Sequence, residues 1–220
     1  MRRILTFAGK IRNTKTILAV SILFAGFFAP TVYALERVKT EIPVFEYQLD
    51  NGLKILVKQD KRAPVAVVQL WYKVGSSYEL SGSTGISHVV EHMMFKGTKK
   101  YPTGEFNRII AENGAEDNAF TGQDYTAYYQ VIAADRLEVA FELESDRVRN
   151  LTLPPEEFKK EVEVVKEERR WRTEDKPVAL THEQFEAVAF LNSPYKNPVI
   201  GWTPDLNAMK VDDLRAWYER

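Results

Sequence analysis

The sequence predicts an α+β fold in which a mainly antiparallel sheet packs against helices. Three observations point there: polar–apolar alternation from Val44 to Val74, turn-forming Gly and Asn residues between the alternating runs, and helical apolar spacing beyond Asp135.

Val44 to Leu49 alternates in polarity, Asp50-Asn51-Gly52 is a strong tight-turn signal, and Leu53 to Lys58 resumes the extended pattern, so these residues read as a β-hairpin. A third strand is expected over Val65 to Val74. Gly75 to Gly85 reads as a loop, with Ser83 or Thr84 capping the helix that follows. Thr103 to Asn113 has helical spacing, with Gly104 a blemish near its start and Gly114 its stop. Glu116 to Thr121 and Tyr125 to Ile132 read as shorter strands separated by Gly122-Gln123-Asp124. Leu137, Ala140, Phe141 and Val148 give Asp135 to Arg149 an amphipathic helical pattern. Pro154 and Pro155 open a long charged helix through about Arg172, since proline is tolerated in a first turn. Pro177 to Phe190 reads as another helix and Asn192 to Pro204 as loop. Val211 to Arg220 begins a last helix without a cap or stop. No internal repeat is visible.

A chain of 220 residues can bury a real core as one large or two small domains. Its formal net charge of -1 gives no reason to expect a nucleic-acid partner. The absence of cysteine excludes disulfides, thiolate zinc sites and a cysteine nucleophile, so any metal must be held by histidine and carboxylate.

The amino terminus carries Arg2, Arg3, Lys10, Arg12 and Lys15, then the apolar run Ile17 to Phe28, then Pro30 and the small-residue pattern Val32-Tyr33-Ala34. Residues 1–34 are therefore expected to be a secretory signal peptide, cleaved after Ala34, because the apolar run is shorter than the roughly 20 residues of a bilayer-spanning helix. In a Gram-negative cell the mature chain, 35–220, would begin near Leu35 in the periplasm. The alternative is an uncleaved segment that anchors the chain to the membrane.

Two of the three histidines lie in ISHVVEHMMFKGT, residues 86 to 98. On a helix, His88 and His92 are one turn apart and Glu91 lies on the same side, so two imidazoles can face one point. That is half of a metal site. Zinc accepts neutral imidazole nitrogen, and a catalytic zinc usually has three protein ligands and one open position. Isolated histidines and helical glutamates are mostly surface or core residues, but the order H-x-x-E-H is the inverzincin signature. A distant carboxylate must complete the set, and Glu167 and Glu168 are adjacent candidates. Glu91, inside the motif yet not needed as a ligand, is the candidate general base for a metal-activated water. No G-x-S-x-G elbow is present to support serine chemistry.

With GAEDNAFTGQDYTAYY from Gly114 and EVEVVKEERR from Glu161, this motif resembles the pitrilysin/insulinase family of zinc metallopeptidases. The likeness is greatest to its shorter bacterial members and to mitochondrial processing peptidase β-type subunits, and it runs from about Val44 to the end. It implies one zinc ion per chain, held by His88, His92 and Glu168, the last lying 168 − 92 = 76 residues beyond the second histidine. It implies that Glu161 supports the site, and that Asn118 and Ala119 contact an extended peptide adding to the Glu116–Thr121 strand as an exposed edge. Read by themselves, Asn118 is a turn residue, Phe120 is core, Tyr125, Tyr128 and Tyr129 pack, and Glu163, Lys166, Glu167 and His182 are solvated.

Shorter family members have two homologous domains, so the resemblance also implies that this chain is the N-terminal zinc-binding domain, truncated before its second half or completed by a partner subunit. The expected function is zinc-dependent endopeptidase action on peptides or unfolded protein segments. A non-catalytic scaffold or partner subunit of a two-chain peptidase is the alternative, and a purely structural zinc a third reading.

Overall fold

The computed structural model describes residues 43–220. The expected signal segment lies outside them, and among the described residues no helix is long and apolar enough to cross a membrane. The chain divides into two compact units, one ending at Asp60 and one running from Lys61 to Arg220.

In the first unit, β1 (Val44–Gln48) and β2 (Lys54–Lys58) pair antiparallel, Val44 opposite Lys58 and Gln48 opposite Lys54. Gly52 closes the turn at φ +87°, a left-handed conformation that costs glycine nothing sterically. The Asn51 side chain accepts from the Leu53 N–H at 3.1 Å.

In the second unit, β3 (Val65–Tyr72), β4 (Glu116–Thr121) and β5 (Thr126–Ala133) form an antiparallel sheet in the order β3-β5-β4. Strand β4 is an edge, as expected. The helices that accompany the sheet begin with α1 (Ile86–Met93), α2 (Glu105–Glu112), α3 (Leu137–Asn150), α4 (Pro155–Arg169) and α5 (Pro177–Ala189). They are followed by α6 (Thr203–Ala208) and α7 (Val211–Tyr218). The α+β expectation holds.

The main core joins α1 to α4, α6 and α7. Ile86, Val89 and Met93, at helical spacing on α1, meet Phe158, Val162 and Val165 of α4, with Leu206 and Leu214 beside them. Burial of this stripe fixes α1 against α4, and thereby everything their facing turns carry. A second cluster, Phe106, Ile110 and Leu143, seats α2 on α3.

Several local expectations change. Neither Ser83 nor Thr84 caps α1: Gly85 occupies that position at φ +84°, and the buried Glu79 carboxylate accepts from the Gly85 and Ser87 N–H groups at 2.7 and 2.8 Å. Thr84 is diverted to Asp205, at 2.5 Å. Gly104 is no blemish, because α2 starts from it at φ +87°. The α-helical part of α4 ends at Arg169 rather than Arg172, and a π-helical turn, Arg170–Glu174, follows. The stretch read as loop contains a 3-10 turn at Pro194–Lys196 and the start of α6, whose first turn tolerates Pro204. At the amino end of the last helix, Asp213 accepts from the Lys210 N–H at 2.9 Å. Phe120 is not core but 39% exposed, and Tyr125 is also exposed, the two rings stacking edge-on.

Candidate metal centre

The motif histidines stand on one face of α1, their ring centroids 4.8 Å apart and nearly perpendicular. Glu168 projects from the last turn of α4 into the space before them. Its Oε2 lies 3.4 Å from His92 Nε2 and 3.7 Å from His88 Nε2. One donor atom from each of the three residues falls within 4.8 Å of the others.

These groups face one another without a complete set of internal hydrogen bonds. His88 is buried, its Nδ1 has no hydrogen-bond partner, and its Nε2 is too far from Glu168 for a good bond. Burial, reinforced by the neighbouring His92, pushes the His88 imidazole down to about 4, so it is neutral at physiological pH. A neutral imidazole and an ionised carboxylate are the forms that bind zinc. Glu168 is held below its usual range by its hydrogen bond to His92, with His88 and Arg172 adding to the effect against partial burial.

His92 is supported from behind. Its Nδ1 lies 3.2 Å from Glu161 Oε2, and with that proton donated to Glu161 its Nε2 keeps a lone pair for the shared space. Burial alone would lower the His92 pKa, but the bonds to Glu168 and Glu161 outweigh it and raise the imidazole above its ordinary value. Lys96 Nζ, 2.6 Å from the other Glu161 oxygen, completes the chain His92–Glu161–Lys96. Two imidazoles and a carboxylate, one ring backed by a second carboxylate, fit a zinc ion.

Glu91 is buried beside this cluster. Burial raises its carboxyl, although the hydrogen bond from the Thr121 hydroxyl to Oε2 works the other way. Thr121 stands at the end of β4 and so ties the motif helix to the edge strand. Ala119 shares the Thr121 face of β4, whereas Asn118 points to the opposite face and gives its side-chain oxygen to the Ala119 N–H at 2.8 Å. Glu163 and Glu167 lie on the solvated side of α4, paired with Lys166 and Arg170, and His182 is exposed.

Three further residues at the site, Thr121, Lys96 and Arg172, were not singled out from the sequence. Thr121 and Lys96 meet their partners only through the packing of separate segments. Arg172, whose Nη1 lies 2.8 Å from Glu168 Oε1, was readable as an i,i+4 pair.

Residues 54–203 match the model of the family described as "Insulinase (Peptidase family M16)". The chain belongs to that family. It is 35% identical over 171 residues to the zinc protease PqqE of Helicobacter pylori, an alignment that takes in 77% of this chain and 38% of that protein. A crystal structure of a protease from Helicobacter pylori superposes with a TM-score of 0.77 at 33% identity, over 80% of this chain and 42% of that one. The periplasmic protease PqqL from Escherichia coli gives a TM-score of 0.74 at 25% identity, over 82% of this chain and 21% of its own. The chain thus spans well under half the length of these relatives.

Proposed function

We propose that this protein is a zinc endopeptidase that hydrolyses peptides or unfolded protein segments, with His88, His92 and Glu168 as the ligands of one zinc ion per chain and Glu91 as the general base. The observation that supports this most is the meeting of three donors from α1 and α4, two imidazoles and a carboxylate, beside the buried carboxyl of Glu91. Zinc bound there would polarise a peptide carbonyl and make a water molecule acidic near neutral pH. Glu91 takes the proton from that water, and its burial makes it a stronger proton acceptor than an exposed glutamate. Glu161 keeps the His92 ring in the orientation and tautomer that ligation needs. An extended substrate adds to the edge of β4, whose main chain offers hydrogen bonds without demanding a particular sequence, with Asn118 and Ala119 beside it.

This activity is proposed for the protein with a second homologous half, in the same chain or a partner subunit, which encloses the substrate. The basic leader, the short apolar run and the small-residue site at Ala34 support export to the periplasm. The relative named as a periplasmic protease agrees with that location.

Glu91→Gln tests the reading, because it keeps the shape of the site while removing the base. Zinc content should stay at one ion per chain while peptide cleavage disappears. Unchanged cleavage by the purified variant would exclude Glu91 as the base and favour a different mechanism.

A further inference from the structure

The residue after Glu168 is buried and aimed the other way. Arg169 forms a two-pronged ion pair with Glu183 of α5, Nη1 to Oε2 at 2.7 Å and Nη2 to Oε1 at 2.9 Å. Its Nε donates to Thr203 Oγ1 at 3.0 Å, at the start of α6, and lies 3.2 Å from Glu174 in the π-helical turn. The guanidinium also sits over the Trp202 ring. One side chain therefore ties the end of α4 to α5, to α6 and to the turn between.

Two features set this bridge apart from ordinary packing. Glu183 is the buried residue of α5, whereas Val178, Phe185 and Val188 on the same helix are exposed, so an ion pair and not an apolar stripe seats α5 on α4. A buried pair is also a poor stabiliser, since apolar residues of similar volume often serve as well. Its value lies in geometry. Arg169 is the last α-helical residue of α4, where a helix otherwise frays, and Glu168 must present its carboxylate from that same turn. The π-helical turn then sends Arg172 back to Glu168 Oε1, which leaves Oε2 toward the histidines.

We infer that the buried Arg169–Glu183 pair is a positioning device for Glu168: it fixes the end of α4 in space so that the carboxylate meets His88 and His92 already in place. The inference rests on the reading of those three residues as a zinc site and adds to it two residues that never touch the metal. Groups that orient metal ligands typically change affinity by about 10- to 100-fold when removed.

The test is a mutant cycle on the full chain, read by zinc titration against a chromophoric chelator, with the melting temperature of the metal-free protein measured alongside. Arg169→Met combined with Glu183→Leu should leave that melting temperature close to the parent's and weaken zinc about 10- to 100-fold. In a Glu168→Ala background the same double change should cost nothing more, because the residue through which it acts is gone. Equal losses in both backgrounds, or no loss with Glu168 present, would overturn the positioning role. Parental affinity in Glu168→Ala alone would instead sink the metal-site reading itself. If the apolar pair does not fold, Glu183→Gln, which keeps shape and one acceptor, enters the same cycle with the same criteria.

Discussion

Zinc binding should be coupled to one proton, not two, through the mildly acidic range. An ordinary histidine titrates at 6.5, so at pH 5.0 each of two ordinary ligands would weaken zinc by about 1.5 decades, together about 3 decades or roughly 4 kcal/mol. Here the two rings are driven apart. His88, buried and pushed down to about 4, is already neutral at pH 5.0 and subtracts about a tenth of a decade or less. His92 is raised by Glu168 and Glu161 and must lose a proton before it can ligate. The sign follows: affinity is fully present above the raised His92 value and falls about one decade per pH unit as pH drops through it. A second decade per unit appears only near the His88 value. Glu168, held below its usual range, stays ionised throughout most of that interval. Chelator-competition titrations from pH 7.5 to 5.0, with calorimetry in buffers of different ionisation enthalpy, measure both the slope and the protons released. A slope near two between pH 6 and 5, or two protons released per zinc at pH 5.5, would refute the claim that burial keeps His88 neutral.

Arg147 is 1% exposed, paired with Glu144 through Nη2 at 2.5 Å and Nε at 2.9 Å, and stacked against Phe95, Phe106 and Tyr128. Arg147→Met strands the Glu144 charge and should cost about 3–5 kcal/mol by denaturant unfolding, whereas adding Glu144→Leu should recover most of it; a single change costing under about 1 kcal/mol contradicts the burial argument. Gly85→Ala places a Cβ 2.7 Å from the Ile200 carbonyl oxygen and 2.8 Å from Gly201 Cα, at a left-handed φ of +84°. Strain and overpacking together predict a loss of about 2–5 kcal/mol, visible as a lower melting temperature, and an unchanged value would mean that this loop yields easily.

How much of this the sequence revealed depends on the range of the interaction. The α+β class, the hairpin around Gly52 and the spacing of His88, Glu91 and His92 rest on neighbours within a few residues, and all are found as expected. The turn-level misses share one cause, a distant partner that outbids the local preference. Glu79 reaches the α1 amino terminus from a separate turn, and Asp205, remote in sequence, draws Thr84 away from the cap. Helix α6 hides behind three prolines because nothing local signals that Leu206 is needed in the core. At the site, the choice of Glu168 over Glu167 rests on the family pattern, and helix geometry separates the two residues. Val162 and Val165 face α1, and Glu168 continues that stripe one turn on, whereas Glu167 falls a full 100° away, on the solvated side. The donor cluster is thus tied to the core. The apolar contacts that dock α1 on α4 also set how far the Glu168 carboxylate stands from the two imidazoles, so a change in that packing would displace the three donors relative to one another.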